Sequence, residues 1–151
     1  MKPNQLPSER PIRFKARSKK DGKWVEGYYA ILHEPHYDRD EHGWTPVWFD
    51  PYPSIFNNEE GHRDDHYWTD VYPQTLCQMT GMKDINDQPI WEHDEVVLHP
   101  VGDYKTECFM GEVVFLETCF AIETDTNKHM PIYDVRKHYD IEVTGNRYDK
   151  L

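Results

Sequence analysis

Between Val71 and Val97 the chain reads VYPQTLCQMTGMKDINDQPIWEHDEVV, and residues that bend or break the backbone recur in it every few positions. Pro73, Gly81, Pro89 and the Asp84-Ile85-Asn86-Asp87 cluster leave room only for short extended segments between turns. Proline removes a backbone donor and fixes φ, so no long helix runs through such a stretch. A chain punctuated in this way is expected to be mainly β, with short strands joined by tight turns.

The rest of the sequence fits that class. Ile12, Phe14 and Ala16 alternate with Arg13, Lys15 and Arg17, the period of a strand with one buried face. Lys20-Asp21-Gly22-Lys23 supplies a turn, and the run from Trp24 to Leu32 returns, so residues 12–32 read as an N-terminal β-hairpin. Residues 1–11 carry three prolines and read as a flexible arm with no core of its own. Residues 33–70 read as a loop-rich central excursion with one short strand near Thr45 to Phe49, because Pro35, Pro46, Pro51 and Pro53 exclude a long helix. From residue 71 onward strands are expected at 75–80, 95–99, 108–116, 119–124 and 141–145, with one helical turn between 134 and 139. Five short strands of this kind predict a C-terminal SH3-like small barrel, all within a single domain of 151 residues.

Composition decides whether such a chain folds and what it touches. Apolar residues make up only 37% and the mean hydropathy is -0.92, but aromatics reach 14%, and each buries a large area. A small, aromatic-rich core follows, since disordered chains are poor in aromatics. The net charge of -11 opposes wrapping by a phosphate backbone and adsorption to anionic lipid. The basic cluster Arg10, Arg13, Lys15, Arg17, Lys19, Lys20 and Lys23 reads first as a solvated strand face. Weak nucleic-acid binding through this strand is the alternative, and it carries a steep salt dependence. Cys77, Cys108 and Cys119 are odd in number and widely spaced, which fits a reduced, cytoplasmic protein and neither a disulfide framework nor a zinc ribbon. The sequence shows no leader and no apolar span, so no membrane association is expected.

Four blocks give the chain a family resemblance. They are Ile12-Arg13-Phe14-Lys15-Ala16-Arg17, then Gly22-Lys23-Trp24-Val25-Glu26-Gly27-Tyr28, then Gln78 to Asn86 continuing through Ile90 to Val96, and last Ile141 to Tyr148. In this order they resemble the YopX family, small β-rich proteins found mainly in phage and prophage genomes and without an established activity. The resemblance implies that fold and setting, and it carries over no catalytic residue. The matching positions Trp24, Gly27, Gln78, Thr80, Gly81, Asp84, Asn86, Ile90, Trp91, Glu92, Asp94, Val96, Gly145 and Asn146 read as structural. Thr80-Gly81 suits a tight reversal, while Asp84, Asn86 and Asp87 suit capping of their own turn. Ile90 and Trp91 are expected to bury, and Glu92 and Asp94 to shape the bend that follows. His93 stands where the family typically has glycine, and histidine tolerates positive φ better than most side chains.

Candidate chemistry is sparse. His33, His36, His62 and His66 lie in an acidic segment, and His62 and His66 are spaced to share one helical face. A metal-dependent hydrolase built on segment 33–66 is the enzyme alternative, zinc needing three or four such ligands. Glu92 with Asp94 is a conceivable acid–base pair, and Cys77 or Cys119 with a histidine a conceivable nucleophile. No Gly-x-Ser-x-Gly elbow or phosphate-binding glycine loop is present, and no cofactor is implied. Tyr37, Trp44, Trp48, Tyr52, Tyr67 and Trp68 form an aromatic set suited to a protein-binding surface. The leading expectation is a non-enzymatic accessory protein that forms a homo-oligomer or binds another protein.

Overall fold

The computed structural model describes residues 12–32, 35–41, 43–48, 52–56, 68–102 and 107–150. They fall into two compact units, one of Arg13–Leu76 and the other of Met1–Ile12 with Cys77–Leu151. Both are mainly β.

In the first unit β1 (Phe14–Arg17) and β2 (Trp24–Leu32) form the expected antiparallel hairpin, with Phe14 opposite Gly27 and Arg17 opposite Trp24. Its turn uses Gly22 at φ 69, and Asp21 Oδ1 accepts the Lys23 N–H. β3 (Pro35–Asp40) and β4 (Gly43–Trp48) form a separate two-stranded ribbon. β5 (Tyr52–Phe56) pairs with β2, and β6 (Trp68–Asp70) pairs with β5, giving the order β6-β5-β2-β1. The strand expected near Thr45 is β4, but the central segment holds more strand than its prolines suggested. Two of the prolines sit where a ladder tolerates them: Pro35 opens β3, and Pro53 precedes the residues of β5 that face β6.

Ala16, Ile55 and Val71 are the buried centre of this unit, with Phe14, Val25, Tyr29 and Leu76 packed around them. A short 3₁₀ turn, Pro73–Thr75, closes it. The buried Thr75 hydroxyl accepts the Arg17 N–H at 2.8 Å and donates to Tyr72 O at 2.7 Å, tying the turn to β1.

The second unit begins with β7 (Cys77–Lys83) and β8 (Pro89–Trp91), which pair antiparallel. Thr80-Gly81, expected to reverse the chain, instead makes a bulge inside β7, with Gly81 at φ 82 and the register shifting between Met79 and Lys83. The Thr80 hydroxyl explains why the strand survives the bulge. It donates to Ile90 O and accepts the Met82 N–H, replacing ladder bonds that the two extra residues of β7 displace.

After these come β9 (Asp94–Pro100), β10 (Phe109–Leu116), β11 (Cys119–Thr124), β12 (His129–Pro131), a helical turn α1 (Ile132–Val135) and β13 (Tyr139–Asn146). The strands form one antiparallel sheet in the order β12-β11-β10-β9-β13. Its outer strands are not joined among the described residues, so it is an open sheet rather than a closed SH3-like barrel. β12 stops after three residues because the chain turns into α1, which sends Ile132 and Val135 into the core. There they join Ile90, Val96, Leu98, Val113, Ile122 and Ile141. No helix among the described residues is long and apolar enough to cross a membrane.

Gly27 is the tightest point of the first unit. A Cβ there would stand 1.9 Å from the Phe56 carbonyl oxygen, so β2 and β5 could not keep their spacing. Gly27→Ala is expected to lower stability by about 3 kcal/mol or more, as overpacking against backbone does. Gly22→Ala, where an added Cβ meets nothing within 4 Å, should cost only the ~1 kcal/mol of its left-handed φ. Urea unfolding followed by tryptophan fluorescence separates the two; equal losses would refute the close-approach explanation.

Candidate functional site

The residues between β7 and β9 are held by two carboxylates whose work is internal. Asp84 begins the polar turn: its Oδ1 accepts the Asn86 and Gln88 N–H groups at 2.8 and 2.9 Å, and its Oδ2 accepts the Val143 N–H at 3.1 Å. One side chain thus shapes its own turn and fastens it to β13. Asp94 is only 1% exposed. Its Oδ2 accepts the Trp91 N–H at 2.8 Å and its Oδ1 accepts the Asn146 side-chain N–H at 2.9 Å. Asn146 is shared further, donating to Glu92 O and lying 3.7 Å from Cys77 Sγ, while its Oδ1 accepts the Tyr148 N–H. A carboxylate so enclosed does not reach a substrate, which removes Asp94 from the acid–base pair considered above.

His93 occupies the bend at φ 66, as expected for the residue in that place. Its Nδ1 lies 3.0 Å from Glu112 Oε1, its ring meets Tyr148 edge-on at 5.3 Å, and Arg147 Nη2 donates to Glu112 Oε2. Partial burial works to lower the Arg147 pKa, but Glu112 and the Tyr148 hydroxyl outweigh it and the net shift is upward.

The face of the five-stranded sheet turned away from its core carries the more unusual arrangement. Val96, Leu98, Val113 and Ile122 point into the core, so the residues alternating with them form the other face. There Glu95 lies opposite Glu112 and Glu112 opposite Glu123, a row of three carboxylates across β9, β10 and β11. Like charges placed directly opposite each other are destabilising, by several tenths of a kcal/mol per pair. His93 and Arg147 relieve Glu112, and His129 Nε2 approaches Glu123 at 3.3 Å. The next row holds Val97 opposite both Glu142 and Met110, and Met110 is 65% exposed although β10 is the middle strand. Glu95, Glu112, Glu123 and Met110, together with Thr144 and Asp125, line a shallow depression of about 450 Å³.

The hairpin of the first unit carries a strand face of the opposite charge. Lys15 Nζ stands 4.6 Å above the Trp24 ring and the Arg17 guanidinium 5.3 Å from it, so the basic strand face is laid on an indole. Lys19 and Lys20 are exposed and border a hollow of about 600 Å³ with Trp68, Thr69 and Asp70.

Other expected site residues are placed as follows. Trp68 is 40% exposed and packs against Phe56 at 5.0 Å. In the β3–β4 ladder Tyr37 lies opposite Pro46, Trp44 opposite Arg39, Trp48 opposite Pro35 and His36 opposite Val47, while Tyr52 opens β5 opposite Leu32. Tyr67, His33, His62 and His66 lie outside the described residues. Among the described residues no three His, Cys, Asp or Glu side chains are placed to hold a metal ion. Ile90 and Trp91 are buried as expected. Cys77 is buried and Cys119 exposed; the thiol beside a histidine is Cys108, 3.6 Å from His99 Nδ1. Strand alternation would have placed Cys108 and His99 on one face, but only the β9–β10 register brings them side by side.

Asn146→Ala removes a donor from a buried carboxylate and is expected to cost about 3 kcal/mol, read as a lowered urea midpoint. Arg147→Ala, at a side chain 52% exposed, should cost under about 1 kcal/mol. A similar cost for both would show that the Asp94–Asn146 contact is not what fixes this region.

No curated protein matches the chain. The model of one family, described as YopX protein, matches residues 14–150, nearly the entire sequence. That span takes in β1, the signature run around Asp84 and Asp94, and β13. The chain belongs to the YopX protein family.

Proposed function

We propose that this protein is a phage or prophage accessory protein that acts without catalysis, by assembling with further copies of itself in the cytoplasm of a bacterial host. The observation that carries this reading is the pairing of opposite surfaces on one chain. The Glu95–Glu112–Glu123 row with exposed Met110 is acidic with an apolar centre, and the Lys15, Arg17, Lys19 and Lys20 surface with Trp24 is basic with an aromatic one. The acidic face of one copy suits the basic hairpin of the next, a heterologous contact that propagates head to tail. A row of like charges costs stability in an isolated sheet, and a cationic partner turns that cost into attraction. Met110 and Trp24 would supply the desolvated centre that such an interface needs. Three free cysteines suit a reducing compartment.

Sedimentation velocity tests the reading. Association is expected at about 50 mM salt and dissociation near 0.5 M, where screening shortens the range of surface charge to a few ångströms. The double variants Glu95→Lys/Glu123→Lys and Lys19→Glu/Lys20→Glu should each weaken self-association about tenfold or more. Mixed together, they should associate again, because the unaltered hairpin of one variant meets the unaltered acidic face of the other. A wild-type protein that stays monomeric at low salt overturns self-assembly.

A further inference from the structure

Beyond the acidic row and the Met110 row, the same sheet face carries a third row with a different chemistry. His99 on β9 lies opposite Asp140 on β13, and Cys108 immediately precedes β10, whose first residue, Phe109, lies opposite Leu98. Leu98 and Ile141 point into the core, so His99, Glu142 and Cys108 emerge together on the other side. His99 Nε2 is 2.6 Å from Glu142 Oε2, and His99 Nδ1 is 3.6 Å from Cys108 Sγ. The histidine therefore bridges a carboxylate and an exposed thiol. An ionised carboxylate only accepts, so Glu142 places the imidazole hydrogen on Nε2 and leaves Nδ1 with its lone pair toward the sulfur. β9 contributes the imidazole and β13 the carboxylate, and Cys108 stands one residue before β10, so the β9–β10 and β9–β13 registers set the order thiol, imidazole, carboxylate.

We infer that Cys108 is a nucleophilic thiol and a site of mixed-disulfide formation, with His99 as its proton acceptor and Glu142 as the residue that orients His99. In the step itself Cys108 Sγ bonds to one sulfur of a small disulfide while its proton passes to His99 Nδ1. The S–S bond breaks, and the departing sulfur leaves as a thiolate that recovers the proton from His99. The small disulfide is reduced as the protein thiol is oxidised, and no further reagent is needed. The surroundings select the co-reactant. Asp140 and Glu142 flank His99, and Glu107 precedes Cys108, so an aminothiol disulfide carrying positive charge is favoured over an anionic one.

Cystamine is the probe, and the full chain contains its own controls: Cys119 is exposed on another part of the sheet, and Cys77 is buried. Peptide mapping by mass spectrometry, at neutral pH and over a time course, reads the rate at each thiol. Cys108 is expected to react at least about tenfold faster than Cys119, a modest share of what a placed base contributes. Oxidised glutathione, being anionic, should react more slowly than cystamine at Cys108. His99→Gln should bring Cys108 down to the rate of Cys119, and Glu142→Gln should lower it by a smaller factor. Circular dichroism of both variants establishes that the sheet is intact, and the wild-type ratio of Cys108 to Cys119 stands without either. Equal rates at the two cysteines in the wild type overturn the proposal, as does an unchanged Cys108 rate in folded His99→Gln.

Discussion

The contact on which most of the C-terminal unit depends is the buried Asp94 carboxylate, held between the Trp91 N–H and the Asn146 side chain. A charge at that depth is tolerable only when donors are aimed at it, and each donor comes from a different part of the chain. Trp91 fixes the entry to β9, and Asn146 fixes the end of β13, fifty-two positions away. Asp84 repeats the device three residues earlier in β13, where it accepts the Val143 N–H. Two carboxylates thus clamp the last strand, one from the start of β9 and one from the turn between β7 and β8. The core on which it closes is only eight side chains deep in its buried set. A core so small gains its single register from polar contacts as much as from packing, since slippage by one residue would leave both acids buried without donors.

Much of this was legible in the residues. Period-two alternation located β1, the Lys20–Lys23 turn announced the return along β2, and the turn residues around Asp84 bounded the strands beside them. The family blocks marked the right places, because Asp84, Asp94 and Asn146 are the atoms that hold the unit together. What failed was arithmetic on single residues. Thr80-Gly81 reads as a reversal, but a serine- or threonine-type side chain can stand in for lost backbone bonds and carry a strand through a bulge. The prolines of 33–70 read as loops, because sequence does not say which side of a strand will lack a neighbour. The sequence pattern also does not say whether five short strands close on themselves, and among the described residues they form an open sheet.

The candidate surfaces were harder to see, and for one reason. Charge composition shows that the chain is acidic, yet Glu95, Glu112 and Glu123 are far apart in sequence and become neighbours only through register. The same holds for Cys108, His99 and Glu142. In the sequence, aromatic and histidine side chains are densest in residues 33–70. The described structure concentrates its unusual juxtapositions on a sheet face whose residues look unremarkable one strand at a time.

The strand order β12-β11-β10-β9-β13 has a consequence for how the molecule is made. Strands β9 to β12 follow one another as a meander, but β9 receives its second neighbour only from β13, after α1 has formed. During synthesis, and in any chain cut short of residue 139, β9 presents a free row of backbone donors and acceptors beside an apolar face. Such an edge pairs readily with another chain. Pairing across so long a separation is slow as a rule, since the loop must be drawn in before its contacts repay it. The protein's interval of greatest aggregation hazard is therefore the wait for its own last strand, and the Asp84 and Asp94 clamps end that interval.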